Sequence, residues 1–345
     1  MGEFGCDLVQ ESTHLSNQRK IIVLTPVKNE AEHLDRFIKV TSKIADVIIF
    51  ADQSSTDNSP QIIQSYPKTV LIKNQSTGID NASRQLLLIN EARNHLGYGN
   101  ILIALDVDEI ISANVIGSDE WKNMMTAPTG TVLYFEKPDL YENTCQCIRF
   151  SQSWPLGYID DGAEHRPTQE HSIRIPTPIG HTKFEFSEVK ILHYALTRVD
   201  AQYSKVRLYS IRENLSQRWN VIQRRRFYSQ SRDYSQGGQM KNTEGKWFKG
   251  WEKIGIDMHS TFHKQHYWYD LEVLHQLMKH GSRRFYWDDI WNKDWEKFRV
   301  QLLNKGASNI SANKIKQPGV FYIVIGVILD KLDAIQLRLK SIIGK

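Results

Sequence analysis

The chain has 345 residues, 40% hydrophobic and 24% charged, enough to bury a full core and too apolar for wholesale disorder. The net charge of +5 is too modest to point to a nucleic-acid partner, but it suits a protein that handles anionic diphosphates or lies near an anionic membrane. The three cysteines, Cys6, Cys145 and Cys147, are odd in number and lack a C-x-x-C pair, which argues against a disulfide scaffold and for a reducing cytoplasm.

Residues 1–19 are polar, without an apolar signal core, and read as an N-terminal segment apart from the fold. Regular signals begin at Lys20. Ile21-Ile22-Val23-Leu24 reads as a buried strand ending at Thr25-Pro26, and Glu30 to Ser42 has helical spacing. Val47 to Ala51 is a second strand, stopped by Asp52 and a polar turn through Ser59. There Ser59-Pro60 reads as a capped helix start. A strand at Val70–Lys73, a helix from about Asn81 to His95 and a strand at Ile101–Leu105 complete an alternating pattern. Alternating strands and helices predict an α/β fold, a mostly parallel sheet with helices on both faces and ligands at the carboxyl ends of the strands. More strands follow, Thr131–Glu136 and Val189–Tyr194, between polar loops. The spacing then predicts a mainly helical, aromatic-rich extension over 212–345, with helices at Leu271–His280 and Trp287–Leu303 and a flexible loop at Gln236–Gln239.

The sharpest chemical feature is Leu105-Asp106-Val107-Asp108-Glu109, an acid cluster where a buried strand ends. Such a cluster is costly unless something positive meets it. A divalent ion on a diphosphate is one such partner, and Mg²⁺ or Mn²⁺ prefers hard oxygen ligands. An acidic surface turn is the alternative. His193 ends another apolar strand and reads either as a metal ligand or as a backbone-bonded core histidine. Lys205 and Arg207 are either screens for a diphosphate or a solvated helix face.

Residues 20–110 resemble a family 2 glycosyltransferase with the GT-A (Rossmann-like) fold. The resemblance rests on Val23-Leu24-Thr25-Pro26-Val27-Lys28-Asn29-Glu30, Ala51-Asp52-Gln53-Ser54-Ser55-Thr56-Asp57, Asn81-Ala82-Ser83-Arg84-Gln85 and Leu105-Asp106-Val107-Asp108-Glu109, in the family's order. It implies a glycosyltransferase domain over 20–211 that takes a nucleotide-sugar donor, a UDP-sugar being favoured. Thr25, Val27 and Glu30 would line the base and ribose pocket, Asp52 would bind the base edge, and Arg84 would face the diphosphate. Asp106 would meet ribose or metal, and Asp108 and His193 would hold Mn²⁺ or Mg²⁺. Gln53 departs from the family's pattern, where an acid or glycine often follows the aspartate.

The resemblance further implies inversion at the anomeric carbon, and hence a carboxylate base for the acceptor hydroxyl of a glycan or lipid-linked glycan. Asp161, Glu170 and Glu185 are the candidates, with the paired acids Asp160-Asp161 expected to raise one pKa. His165, His171 and His181 nearby suggest acceptor contact or plain surface. Phe285 to Trp291 resembles tails of some bacterial members. Val320–Leu329 is apolar but too short to span a bilayer. Ile325, Ile328, Leu332, Ile335, Leu339 and Ile342 form one helical stripe, which would pack on the protein's own body, meet a second subunit or touch the inner membrane face through 320–343. A sugar-phosphate nucleotidyltransferase would need a glycine-rich loop after the first strand, and Thr25 to Glu30 has no glycine. A glycan-binding relative without activity would not need Arg84, Asp106 and Asp108.

Overall fold

The computed structural model describes residues 19–74, 80–168, 172–228, 237–264, 266–307 and 310–343, with backbone alone from 332. In chain order it forms β1 (Ile21–Val27), α1 (Ala31–Thr41), β2 (Val47–Asp52), α2 (Ser59–Gln64), β3 (Thr69–Lys73), α3 (Asn81–Leu96), β4 (Ile101–Ala104), β5 (Glu109–Ile111) and α4 (Asp119–Thr126). There follow β6 (Val132–Glu136), β7 (Asp139–Tyr141), β8 (Gln146–Arg149), β9 (Ser153–Ile159), β10 (Lys183–Leu196), α5 (Val199–Ser216) and α6 (Val221–Tyr228). The last are β11 (Gln239–Asn242), α7 (Lys249–Glu252), α8 (Trp268–His280), α9 (Trp295–Asn304) and α10 (Val320–Ile343).

The chain divides into two compact units. The first holds positions up to Val107 with Asn114–Phe135 and Ser153–Val189; the second holds Asp108–Ala113, Glu136–Gln152 and everything from Lys190. The position expected to separate two linear domains, 211/212, falls inside α5.

In the first unit β1 pairs in parallel with β2 and β4, and β2 with β3; β9 adds to β4 antiparallel. The strand order β4-β1-β2-β3 therefore reverses between β1 and β4. Both sheet faces are covered, which is why these strands are apolar at nearly every position. Ile22, Leu24, Ile49, Ala51, Leu102 and Ala104 pack with Leu88, Ile89 and Ala92 of α3. On the other face Phe50 of β2 meets Phe37 of α1 edge-on, ring centroids 5.9 Å apart. The carboxylate of Asp80 caps α3 by accepting from Ser83 N at 3.0 Å, and Gly97, at φ 71°, ends the helix. Arg93 of α3 grips Asp160 with two bonds of 2.9 and 2.7 Å, and Asp160 is wholly buried.

In the second unit β10 pairs antiparallel with β5 and in parallel with β7, followed by β8 and β11. Helix α5 packs on α8 and α6, and α6 on α10. Ion pairs pin this helical part: Arg207 with Asp270, Arg224 with Asp288 and Arg225 with Asp330. Asp288 is raised above the ordinary carboxylate range, because its burial outweighs Arg224 and its other hydrogen-bond donors. Trp247, Trp251 and Trp295 are fully buried, so these three tryptophans of the aromatic-rich region serve packing.

Three local expectations change. Ser59 is not a cap: it is the first residue of α2, after Asn58. The helix expected from Trp287 starts only at Trp295, capped by Asp294; before it the chain runs through a turn in which Asp288 and Ile290 are buried. The part of the expected flexible loop that is described, from Gly237, leads into β11, which pairs with β8; Gln236 lies outside the described residues.

Candidate active site

The loop after β1 is tied to the loop after β2 by reciprocal bonds. The backbone N–H groups of Asn29, Glu30 and Ala31 donate to Ser55 Oγ, Ser59 Oγ and Asp57 Oδ2 at 2.9, 3.0 and 3.2 Å. In return Thr56 N donates to Asn29 Oδ1 at 2.7 Å, and Asn29 sits at φ 56°, a left-handed conformation that asparagine tolerates. The bonds to Glu30 and Ala31 satisfy amide groups that α1 would otherwise leave orphaned at its start. They also occupy the amides that a phosphate-cradling loop keeps open. The polar run from Asp52 to Ser59 thus holds the two loops together. The Asp52 carboxylate accepts from Ser55 N at 3.2 and 3.3 Å and retains lone pairs for a further donor.

At the carboxyl ends of β1 and β4, where the strand order reverses, lies a cleft lined by Leu24, Pro26, Arg84, Gln85, Leu88, Ala104 and Arg174. A crevice at this point is where open α/β sheets take ligands. Arg84 reaches it from the first turn of α3, its Nη2 bonded to Asn81 Oδ1 at 2.9 Å. Arg174 Nη2 donates to Asp106 Oδ2 at 2.8 Å, so the first acid after β4 is met by a cation of the same unit. Strand alternation puts Leu24 and Pro26 on the cleft face, and Thr25 and Val27 on the opposite one. Thr25 is fully buried, with no hydrogen-bond partner for its hydroxyl among the described residues. Glu30 is half-buried beside α1.

In the second unit Asp108 lies beside an imidazole and a guanidinium. His193 Nε2 lies 3.9 Å and Arg198 Nη2 4.0 Å from Asp108 Oδ2. Burial opposes ionisation of Asp108, but His193, Lys205 and Arg198 together outweigh it and hold the carboxyl below its usual range. His193 Nδ1 is bonded to Asp139 Oδ1 at 2.6 Å. That bond fixes the ring and leaves Nε2 toward Asp108, the arrangement in which a carboxylate orients a metal-ligating histidine. A gap of 3.9 Å is too long for a hydrogen bond. His193 Nε2 and the Asp108 carboxylate nevertheless face one another, an imidazole nitrogen and a hard oxygen that could both meet one cation. No group of three His, Cys, Asp or Glu suited to a metal is found among the described residues. The protein would thus supply two positions, leaving the others to phosphate oxygens and water, as Mg²⁺ and Mn²⁺ sites commonly do. Glu109 takes no part in this pair. It is fully buried and accepts from Lys137 Nζ at 3.0 Å.

The remaining predicted residues are dispersed. Of the paired acids expected to raise one pKa, Asp161 is not raised. Burial pushes it upward, but hydrogen bonds from the Tyr158 hydroxyl and Ala163 N outweigh that and lower it. Its neighbour Asp160 is committed to Arg93. Glu185 is exposed on β10 and accepts from Ser153 Oγ at 2.5 Å. Glu170 and His171 lie outside the described residues. His165 is no surface contact: it is buried against Gln85 at 3.0 Å, and burial, with Arg93, pushes it down to about 4. His181 bonds Tyr134 and the Pro178 carbonyl. Arg207 is neither screen nor solvated face, being buried on Asp270 at 2.9 and 3.0 Å, while Lys205 does act on Asp108. Sequence reasoning missed Arg174 and Asp139. Arg174 sits in an aperiodic loop, and Asp139 begins a three-residue strand; only the apolar strand containing His193 hinted that a partner was needed.

No protein-family model matches the sequence, and no curated protein does. Among solved structures, a 4-diphosphocytidyl-2C-methyl-D-erythritol synthase aligns at 13% identity over 41% of this chain and 75% of its own, with a TM-score of 0.29. A mycobacterial protein aligns at 15% over 37% and 43%, TM-score 0.26. Glucosyl-3-phosphoglycerate synthase from Mycobacterium tuberculosis, solved with Mn²⁺, UDP and glucosyl-3-phosphoglycerate, aligns at 17% over 36% and 44%, TM-score 0.23. The chain spans less than half the length of the last two, and all three scores are too low to bear on its fold or function.

Proposed function

We propose that the chain is a metal-assisted, inverting glycosyltransferase of the GT-A type, moving a sugar from a nucleoside diphosphate to a hydroxyl of a glycan or lipid-linked glycan. One observation carries the reading: each acid of the Asp106–Asp108 pair has a dedicated partner, Arg174 for the first and the Asp139-oriented His193 for the second. An acidic surface turn has no use for either. Arg84 and Arg174 bring two guanidinium forks to a cleft at the sheet's switch point, a chemistry matched to diphosphate oxygens. Asp52 and Glu30 serve the nucleoside, while Thr25 and Val27, buried on the face opposite the cleft, support the strand end and do not line the pocket as the resemblance implied. Asp108 and His193 would hold Mn²⁺ or Mg²⁺, which would supply positive charge to offset that of a departing diphosphate.

In the transfer the acceptor oxygen bonds to the anomeric carbon as the bond from that carbon to the diphosphate breaks. The hydroxyl proton passes to a carboxylate. Asp161 is poorly suited, since a base with a lowered pKa has little drive to take a proton, and Glu170 and Glu185 are the better candidates. A nucleotidyltransferase is disfavoured because the amides after β1 are already engaged by Ser55, Ser59 and Asp57.

Calorimetric titration tests this reading. Uridine diphosphate should bind more tightly with Mn²⁺ than without, and Asp108→Asn should erase the difference. Arg84→Lys should weaken uridine diphosphate more than uridine. Metal-independent binding in the wild type, with equal losses of both ligands in Arg84→Lys, would contradict it.

A further inference from the structure

We infer that α10 is a docking surface for an anionic lipid membrane, which the helix lies on and does not cross. The inference is independent of the catalytic reading. The first half of α10 has two apolar faces. Tyr322, Ile325, Gly326 and Leu329 turn inward; Tyr322 packs on Tyr286 and Trp287, with ring centroids 5.1 and 4.7 Å apart. Gly326 lies so close to Arg225 that a Cβ there would meet its guanidinium at 2.9 Å. Asp330 receives two bonds from Arg225, at 2.8 and 2.7 Å. The helix is therefore seated, and its outward face is not a free end awaiting its own core.

That outward face is nevertheless apolar. Val320, Phe321, Ile323, Val324, Val327 and Ile328 are all exposed, Phe321 at 65% and Val327 at 47%. At about 100° per residue they fill one arc of the helix. Such a contiguous patch marks an interaction site. The stripe expected to run through Ile325 and Ile328 is thus split in the structure, Ile325 being half-buried and Ile328 exposed.

Charge decides the occupant. By the same helical period Lys331, which is exposed, falls in the middle of this arc, and the acid before it, Asp330, is turned to Arg225. Lys314 and Lys316, both exposed, precede the helix. A second copy meeting this face across a two-fold axis would set the same cations against each other. Anionic headgroups instead receive the lysines while the aliphatic side chains enter the acyl boundary. Phe321 and the half-buried Trp287 stand at the helix start, 6.4 Å apart, and aromatic rings favour that interface. Among the described residues no helix is long and apolar enough to cross a bilayer.

Flotation of the full-length protein with vesicles tests the inference. The protein should float with phosphatidylglycerol–phosphatidylcholine vesicles and not with phosphatidylcholine alone, with binding weakened by salt. Combining Phe321→Ser with Val324→Ser should weaken binding at least about tenfold. Because both side chains are exposed, the melting temperature should hold. Lys331→Glu should weaken binding too, and it provides the test should the double variant fold poorly. Absence of binding by the wild type, or binding indifferent to these changes, overturns the inference. So does a concentration-dependent dimer that the same substitutions abolish in a protein that ignores vesicles.

Discussion

At the residue scale the proposed chemistry turns on His193 and its two carboxylates. Asp139 touches neither substrate nor ion in this reading; it is a positioning residue that holds the imidazole so that Nε2 faces Asp108. Asp139→Asn should lower apparent Mn²⁺ affinity in donor binding about 10- to 100-fold, with kcat recovered at saturating Mn²⁺. A kcat loss that excess Mn²⁺ does not rescue would make Asp139 structural only. His165 supplies a pH prediction. Its pKa falls from 6.5 to about 4 on burial, so between those values the unfolded chain binds a proton that the folded one refuses. The stabilisation is complete above pH 6.5 and is lost as pH falls toward 4. Its size is roughly 3 kcal/mol. Thermal melts over that window should show a steep acid limb that His165→Asn flattens; an unchanged limb would place the titrating group elsewhere.

At the element scale the parallel core was legible because each strand is an apolar run ending at a polar residue, and each helix has its own period. The ends of β1, β2 and β4, and Arg84 on α3, could therefore be located from sequence. Chemistry supplied from outside the pattern was not legible. Ser59 looked like a cap because a hydroxyl before proline usually is one, yet its oxygen serves Glu30 N, 29 residues earlier. Asp160-Asp161 looked like a mutually repelling pair, but Arg93 neutralises one and Tyr158 stabilises the charge of the other. The Arg93–Asp160 bond also joins α3 to the segment after β9. Arg93→Leu should cost about 3–5 kcal/mol in denaturant unfolding, because it strands a buried carboxylate. Adding Asp160→Leu should recover much of the loss. If the single variant unfolds like the wild type, the pair carries no stability.

At the scale of the whole molecule, the shift from a helix-and-strand alternation to aromatic-rich helices was visible in composition, but the compact units were not. The chain enters the second unit at Asp108, leaves it at Ala113 and returns twice, and no local period encodes that path. The Asp106-Val107-Asp108 step therefore carries the chain from one unit to the other, with Arg174 and His193 as the respective partners of its acids. The measurement that tests the central claim most directly is release of free nucleoside diphosphate from UDP-sugars, with Mn²⁺ and with EDTA, in the wild type and in Asp108→Asn. The account predicts release only with metal and only in the wild type, with the variant folded and at least about 10²-fold slower. Pyrophosphate exchange in place of release, or equal release in Asp108→Asn with EDTA present, would contradict it.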